Sequence, residues 1–516
     1  MYSTISCVLP NSSRYRKGIC LYFCYFFIML FLFSRPAHAV DLIEIYQLAL
    51  ENDATFQKEI YKHKASPEIY KQALSEMLPV VDLDAFYQRS KHEIFDNEVD
   101  VYGASLARYP SRGFDLVLRQ PLFKYSSLTR ISQAKEEIRR ADLEFEAAGE
   151  DLILRVTEAY LNALESRDIL RFSKSEEDAV SQHFNLARER YENGLAPITD
   201  YHDAKARLAV ITTKRVRAEH SLEDALEGLA ELTGRRIDSM KGIKTPDINT
   251  EAYYRMTARD SSADNDMAGV SAPEMKKVPG LSEGNLFNSL SPRKAVEFPV
   301  DVIPLIAPLP DDVETWVSAA KTQNKNILVK EKDVAVARKE VDRQKSGYMP
   351  ALSLVGRWNK DIEGGSLYGG GSDVEKWEGL VELKIPLFNG FSTTSKIREA
   401  RLLVRAAGEE LEKETRSVTR EAKAAFLGIK SSIENIKALK QAMISNQIAL
   451  DAKKEGFKSG LFPSLAVTDA ERDLYQTKQE YAKSQYEYII YSLRLKQNVG
   501  LLRQDDISII NDWLEY

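Results

Sequence analysis

Beyond its first 39 residues, this 516-residue chain lacks cysteine and lacks any long apolar run. Its three cysteines are Cys7, Cys20 and Cys24, so the rest of the chain has no disulfide framework, thiolate metal site or cysteine nucleophile. After residue 39 no apolar run approaches the length that a membrane-spanning helix needs. If the chain crosses a bilayer, it must then do so as a closed β-barrel, which also satisfies every backbone polar group in lipid.

The sequence also lacks the patterns that enzymes use. There is no phosphate-binding glycine loop, and the histidines after residue 39 have no metal-ligand spacing. His202 and Asp203 beside Asp200 admit an acid/base reading, but a solvated turn explains them better. The net charge is −6, and an acidic chain argues against a nucleic-acid partner. We therefore expect neither an enzyme nor a cofactor.

Residues 1–39 have the features of a secretory signal peptide. Arg14, Arg16 and Lys17 precede an apolar segment at 21–33, and Ala37-His38-Ala39 forms a small-x-small cleavage site. The alternative, a membrane anchor, is weaker because a span needs about 20 apolar residues. Cleavage would remove four positive charges and take the net charge from −6 to −10. The predicted domain at 1–39 is thus a leader for secretion.

The remaining sequence is internally duplicated. Leu42, Ile45, Tyr46 and Ala49 recur as Val313, Trp316, Val317 and Ala320, each 271 positions later. This period is far too long for a solenoid repeat, so it indicates two homologous halves. Each half is predicted to contain a short helix, two strands around a loop, a very long helix, a tight turn and a second long helix. The predicted domains are a first repeat at 40–233, a polar inter-repeat segment at 234–310 and a second repeat at 311–516.

The strands alternate between apolar and charged residues. Leu83 and Leu116 mark the apolar face in the first half, and Leu354 and Val381 mark it in the second. Segments of about ten such residues are typical of transmembrane barrels, although a half-buried sheet on a soluble core gives the same alternation. Aromatic residues at strand ends (Tyr87, Trp358, Trp377) favour the membrane interpretation, and residues 89–112 and 360–376 are predicted as loops. Four strands cannot close a barrel of about eight or more, so this interpretation requires several chains to share one barrel.

The predicted helices are unusually long. Residues 124–193 contain no proline and a single glycine, Gly149, and a helix of that length reaches roughly 100 Å. Apolar residues recur at spacings of three and four, for example at Ile153, Val156 and Tyr160. That spacing predicts coiled-coil packing against neighbouring helices.

These features together resemble the TolC family of outer membrane efflux proteins. The resemblance depends on the duplicated order of elements, on the Pro-Leu-Phe segments at 121–123 and 386–388, and on the two Gly-Leu turns. It implies an α+β membrane protein whose coiled-coil helices form an α-barrel tunnel. It also implies a homotrimer in which four strands from each chain build a shared 12-stranded β-barrel. The implied location is the cell outer membrane, extending into the periplasm.

The resemblance further implies a passive exit duct for drug efflux, type I protein secretion or both. The implied partners are outer membrane lipid, a periplasmic adaptor (membrane fusion) protein and an inner-membrane efflux pump or ABC transporter. A different class, a soluble periplasmic coiled-coil scaffold or adaptor protein, remains the alternative. Lipid-facing apolar residues on the strands would distinguish the duct from this alternative.

The resemblance assigns site residues to the helical turns. The adaptor-docking turns are expected at Gly194, Leu195, Pro197, Gly460, Leu461 and Pro463. Asp200 matches a latch aspartate of the family and Asp469 matches one of two aspartates that ring the aperture, whereas Ala466 stands at the other. Phe462 and Phe457 replace the latch arginine and tyrosine, so apolar contacts are expected in place of a salt-bridged latch. A ring of Asp469 side chains would favour cations in the opening.

Overall fold

A computed structural model describes residues 40–93, 106–237, 239–243, 303–366 and 370–515. The predicted signal peptide lies outside these residues, as does most of the inter-repeat segment, including the enlarged loop near 255–295. Within the described part of the chain, no helix combines the length and apolar character needed to cross a membrane.

The first half begins with two consecutive helices, followed by a hairpin of strands and a hairpin of long helices. Its elements are α1 (Leu42–Asn52), α2 (Ala54–Ser75), β1 (Val80–Glu93), β2 (Leu106–Lys124), α3 (Tyr125–Glu192), α4 (Ile198–Thr233) and the short strand β3 (Gly242–Ile243).

The second half repeats this order and ends in a short helix and strand. Its elements are α5 (Val313–Gln323), α6 (Lys325–Lys345), β4 (Ala351–Glu363), β5 (Ser372–Lys384), α7 (Ser392–Lys458), α8 (Ser464–Asn498), α9 (Gln504–Asn511) and β6 (Leu514–Glu515).

Two helices stand in each half where the sequence predicts one short helix. Asp53 and Asn324, again 271 positions apart, interrupt the helical run because each side chain accepts hydrogen bonds from backbone N–H groups of the following turn. The first helices are capped in the same way by Asp41 and Asp312. N-cap side chains satisfy donors that a helix end leaves unpaired, so they fix where each helix begins. The duplication therefore extends to individual caps.

The long helices have the predicted extent. Helix α3 contains 68 residues, which corresponds to roughly 100 Å, and α7 contains 67. The residues predicted to pack in α3 are buried, including Val156 and Tyr160, and so is Phe426 in α7. They belong to the large apolar core that the middle of the helices shares with α1 and α5. Burying each such side chain contributes about 1.5–3 kcal/mol.

The four long strands form one antiparallel sheet in the order β1-β2-β4-β5. The strands continue well into the loops predicted at 89–112 and 360–376, so those loop boundaries are wrong. The alternation that identifies a half-buried strand fades in these segments, because polar and charged residues occupy both faces there. Backbone pairing nevertheless continues to Glu93 with Leu106 and to Glu363 with Ser372.

A second, two-stranded sheet joins distant parts of the chain beside the middle of the long helices. Strand β3 pairs with β6, and Val40 bridges to Met240. The hydroxyl of Tyr160 in α3 donates to the carbonyl of Lys241 (2.7 Å), which holds this sheet against the helices. The long hairpins are thereby secured at mid-length and extend from there to their turns.

Candidate functional site

The first helical hairpin closes with a glycine in the left-handed region. Gly194 has φ 71°, and its N–H donates to the carbonyl of Tyr191 (2.9 Å). The N–H of Leu195 donates to the carbonyl of Arg190 (2.8 Å). These paired bonds satisfy carbonyls at the end of α3 and form the motif that glycine commonly completes. Pro197 then stands at the N-cap of α4, where no backbone donor is required.

The second hairpin closes in the same way. Gly460 has φ 78°, and its N–H donates to the carbonyl of Phe457 (3.1 Å). The N–H of Leu461 donates to the carbonyl of Gly456 (2.7 Å), and Pro463 is the N-cap of α8. All six residues predicted for docking thus lie in two geometrically equivalent turns.

Both turns present an exposed apolar side chain. Leu195 and Leu461 are each 78% exposed, although a leucine at this position commonly packs back on its own helix. Exposing a large apolar side chain gains nothing for the folding of a single chain. Each turn therefore leaves one large apolar side chain, an apolar knob, uncovered by the rest of its own chain.

The residues predicted for the aperture and latch divide into two groups. Asp200, Phe457 and Phe462 line a common cavity between the two turns, with a volume of about 360 Å³. Asp469 is placed differently, because its carboxylate is paired with Arg207 of α4 (2.8 Å) and with Arg472 (3.4 Å). The predicted aperture carboxylate is thus accompanied by positive charge within its own chain.

The two phenylalanines predicted for the latch make different contacts. The guanidinium of Arg190 lies 4.7 Å from the ring centroid of Phe457, and the His183 ring meets the same ring edge-on at 6.3 Å. Phe462 covers Gly456, where an added Cβ would overlap the Phe462 ring. Phe457 therefore joins the first hairpin to the second through cation–π and aromatic contacts, whereas Phe462 packs within the second hairpin.

Sequence reasoning missed the polar ties that accompany these contacts. Glu471 of α8 is only 3% exposed, and its carboxylate lies 3.3 Å from His183 of α3 and 3.0 Å from Lys454 of α7. Burial raises the pKa of Glu471, but the neighbouring His183 and Lys454 side chains hold it below its ordinary value. The two turns and the adjoining ends of the four long helices form the tip of the molecule. Together with Arg207–Asp469, this group adds polar contacts to the tip, where apolar contacts were expected. No short sequence motif predicts this group, because His183 is far from Lys454 and Glu471 in sequence.

The sheet has one apolar and one polar face. Leu83, Leu116, Trp358 and Trp377 occupy one row across all four strands. Leu83 is 63% exposed and Trp377 is 75% exposed. The indole N–H groups of Trp358 and Trp377 both donate to the Glu375 carboxylate. The predicted apolar stripe is therefore continuous across the sheet and uncovered.

The opposite face is charged. Arg357 is paired with Glu378 of the next strand, and its guanidinium lies 3.8 Å from the Asp115 carboxylate and 3.9 Å from the Glu378 carboxylate. Oxygen atoms of Asp115 and Asn359 on this face are buried without a hydrogen-bond partner among the described residues. Such atoms are generally satisfied by water, so this face is suited to an aqueous space.

Comparison with known families gives one matching profile, described as outer membrane efflux protein. It matches residues 45–235 and 316–501, one segment for each half.

Similar proteins of known name are found over almost the whole chain. Outer membrane protein TolC of Vibrio cholerae is 28% identical, covering 93% of this chain and 95% of that protein. Alkaline protease secretion protein AprF of Pseudomonas aeruginosa is 23% identical, covering 93% and 89%. Among solved structures, the Campylobacter jejuni CmeC outer membrane channel superposes with a TM-score of 0.65 at 16% identity, covering 92% and 89%. The last similarity concerns the fold.

Proposed function

The chain belongs to the outer membrane efflux protein family, in its TolC group, and we propose that three copies assemble into a passive exit duct. The family places the protein in the outer membrane with an extension into the periplasm, and makes it a channel protein rather than an enzyme. The duct would carry small molecules, secreted proteins or both.

The observation that carries this proposal is the open sheet with an uncovered apolar face. Among the described residues, β1 and β5 each have a partner on one side only. Unpaired strand edges invite pairing with another chain, and lipid forbids leaving them open. Because the strand directions alternate, β1 of one copy would lie antiparallel to β5 of the next. Three copies would then supply twelve strands with the apolar face outward and the polar face inward.

The helices support the second part of the proposal, a conduit through the periplasm. Helices α3 and α7 project roughly 100 Å, and their apolar stripes are suited to packing side by side. Exposed apolar residues remain on α7, including Leu402 and Leu427. Packing against neighbouring copies would cover such residues.

The turns support the third part, docking to a periplasmic adaptor. Leu195 and Leu461 project from equivalent turns at the far end of the helices, where a partner from the inner membrane would arrive. Two similar knobs in each chain would give six in a trimer, arranged for a repeating partner. Energy would come from the partner, an inner-membrane efflux pump or ABC transporter, since the duct uses no cofactor.

Single-channel recording tests the duct. Detergent-extracted protein in a planar bilayer should give stable openings that favour cations. A water-soluble protein that never conducts would overturn the barrel and favour a periplasmic scaffold or adaptor.

Cysteine cross-linking tests the shared barrel directly. The chain from residue 40 onward has no cysteine, so any disulfide that forms there must join introduced cysteines. Leu83→Cys in β1 should form a disulfide with Val381→Cys or Leu383→Cys in β5 of a neighbouring copy. Within one chain these positions are separated by three inter-strand spacings of about 4.8 Å, which is too far for a disulfide. We expect linked trimers on denaturing gels, and Leu83→Cys alone is the matched control.

Polar substitution of the turns tests docking. Leu195→Ser with Leu461→Ser should reduce export in the native host and leave conductance of the purified protein unchanged. Tyr61→Ser, which removes an exposed aromatic side chain of α2 far from the turns, is the control. Export that survives both turn substitutions would exclude the knobs from docking.

A further inference from the structure

The tip contains a buried carboxylate that bridges both helical hairpins. Glu471 belongs to α8, and its two partners come from α3 (His183) and α7 (Lys454). Glu471 is itself buried and lies on the same face of α8 as Val467 and Leu474, which belong to a buried apolar cluster. In such surroundings an ionised carboxylate requires partners, because desolvation is costly unless opposite charge and hydrogen bonds compensate.

The partnership is incomplete on the histidine side. Lys454 lies 3.0 Å from Oε1 of Glu471, whereas Oε2 is buried without a hydrogen-bond donor among the described residues. Nε2 of His183 lies 3.3 Å from this oxygen. A protonated imidazole carries a proton on both ring nitrogens, so it would give Oε2 the donor and the charge that it lacks.

His183 also has access to solvent protons. Its side chain is 15% exposed and lines the cavity between the turns, together with Arg190 and Phe457. Glu471 does not line that cavity. The histidine can thus exchange protons with the periplasmic space while the carboxylate stays buried.

The other charged and titratable groups around this contact belong to classes that do not ordinarily titrate between pH 5 and 8. They are Glu176 and Arg190 on α3, Asp200, Asp203, Arg207 and Lys214 on α4, Lys454 and Lys458 on α7, and Asp469, Arg472 and Tyr475 on α8. Five of them are paired with one another: Glu176 with Lys214, and Asp469 with Arg207 and Arg472. Because the pKa of Glu471 is lowered, its carboxylate also stays ionised across this range. Histidine is the side chain that changes charge there.

From this geometry, we propose that His183 is a proton-dependent tie between the two hairpins, which secures the tip in acid and loosens it as the pH rises. The proposal rests on the proposed function as a duct. With His183 protonated, the charge-assisted bond to Glu471 holds α3 against α8, the conformation described here. With neutral His183, the buried carboxylate keeps Lys454 as its charged partner, and separating the hairpins costs less. The tip of the duct would open more readily above neutral pH.

Channel recording across pH tests the tie. The wild-type protein should be roughly tenfold more open at pH 8 than at pH 5, since charged and neutral hydrogen bonds differ by about the free energy that gives this factor. His183→Gln keeps an amide donor without a titrating group and should abolish the step. Glu471→Gln should abolish it with the histidine still present. His202→Gln, an exposed histidine at the same tip, should retain it.

A distance measurement separates this proposal from the duct itself. Spin labels on Leu195→Cys and Leu461→Cys report the separation of the turns in detergent, whether or not the protein conducts. We expect a wider distribution at pH 8 than at pH 5, and no such change with His183→Gln. A pH response that persists in both His183→Gln and Glu471→Gln, or is absent from the wild type, would overturn the tie. Failure to conduct with an intact pH-dependent distance would count against the duct alone.

Discussion

The two halves share a backbone but differ in how their side chains stabilise it. At equivalent positions, Asp53 caps α2 and pairs with Arg155, whereas Asn324 caps α6 and donates to the carbonyl of Asn498. Equivalent turns differ as well: Arg190 and Ala196 of the first correspond to Gly456 and Phe462 of the second, each 266 positions later. Duplication thus conserves caps and turns, which backbone geometry requires, and leaves the neighbouring side chains free to specialise.

The cap comparison predicts the largest effect. Asp53→Ala should lower the free energy of unfolding by about 3 kcal/mol, because it removes a cap and leaves Arg155 without its buried carboxylate partner. Asn324→Ala should cost about 1–2 kcal/mol, since it removes a cap and a neutral hydrogen bond. Thermal denaturation, monitored by circular dichroism, shows which of the two variants loses more stability. Equal losses would show that the charge adds nothing in the first half.

The pH dependence of Asp53→Asn isolates this charge, because asparagine retains the cap. Burial raises the pKa of Asp53, but hydrogen bonds from Arg155 and the Phe56 N–H hold it below its ordinary value. A lowered folded-state pKa stabilises the protein above the unfolded value, and the benefit is lost as pH falls through the folded value. The difference in the free energy of unfolding between the wild type and Asp53→Asn should therefore be largest at pH 7 and should decrease below about pH 4. A constant difference would contradict the ion pair.

The second turn has a small residue (Gly456) and a large one (Phe462) where the first has Arg190 and Ala196, and this difference predicts the next largest loss of stability. Gly456→Ala should destabilise the tip by about 2 kcal/mol, because the new methyl group displaces the Phe462 ring. Adding Phe462→Ala, which imitates the small residue of the first turn, should recover part of that loss. Protease cleavage at the tip measures both variants. If the two substitutions prove additive, the ring and the glycine are not packed together.

The duplicated order, the long helices and the turns were predictable because each depends on local pattern. Gly194 and Gly460 are recognisable from the tight turns alone, and Ile153, Val156 and Tyr160 from their spacing. The helix breaks at Asp53 and Asn324 were missed, because capping residues inside a periodic run leave the hydrophobic spacing almost unchanged.

The side-chain contacts at the tip could not be predicted from the sequence. Arg207 pairs with Asp469 and His183 approaches Glu471 across more than 250 residues of sequence, so only the folded hairpins bring them together. Any of many arginines or histidines in the chain would have been an equal candidate. Charged pairs of this kind depend on the rotation of each helix about its axis, which short motifs do not specify.

The turn glycines predict equal, smaller effects in the two halves. Gly194→Ala and Gly460→Ala should each cost about 1 kcal/mol, because both residues have positive φ and an added Cβ meets nothing within 4 Å at either site. Asparagine tolerates this conformation better than alanine, so Gly→Asn is the matched control. Unequal losses in thermal denaturation would show that one turn bears strain that the other does not.

Ion selectivity at the aperture is where we expect the smallest change. Asp469→Ala should lower the preference for cations by roughly twofold at most, since Arg207 and Arg472 already offset a partly exposed carboxylate. Arg207→Ala should shift the preference in the opposite direction, because it leaves the carboxylate less compensated. Reversal potentials in a salt gradient measure both, and Asp203→Ala tests the equivalent residue of the first half. If Asp469→Ala and Arg207→Ala shift the potential in the same direction, the pair does not control the field in the opening, and selectivity must arise elsewhere along the duct.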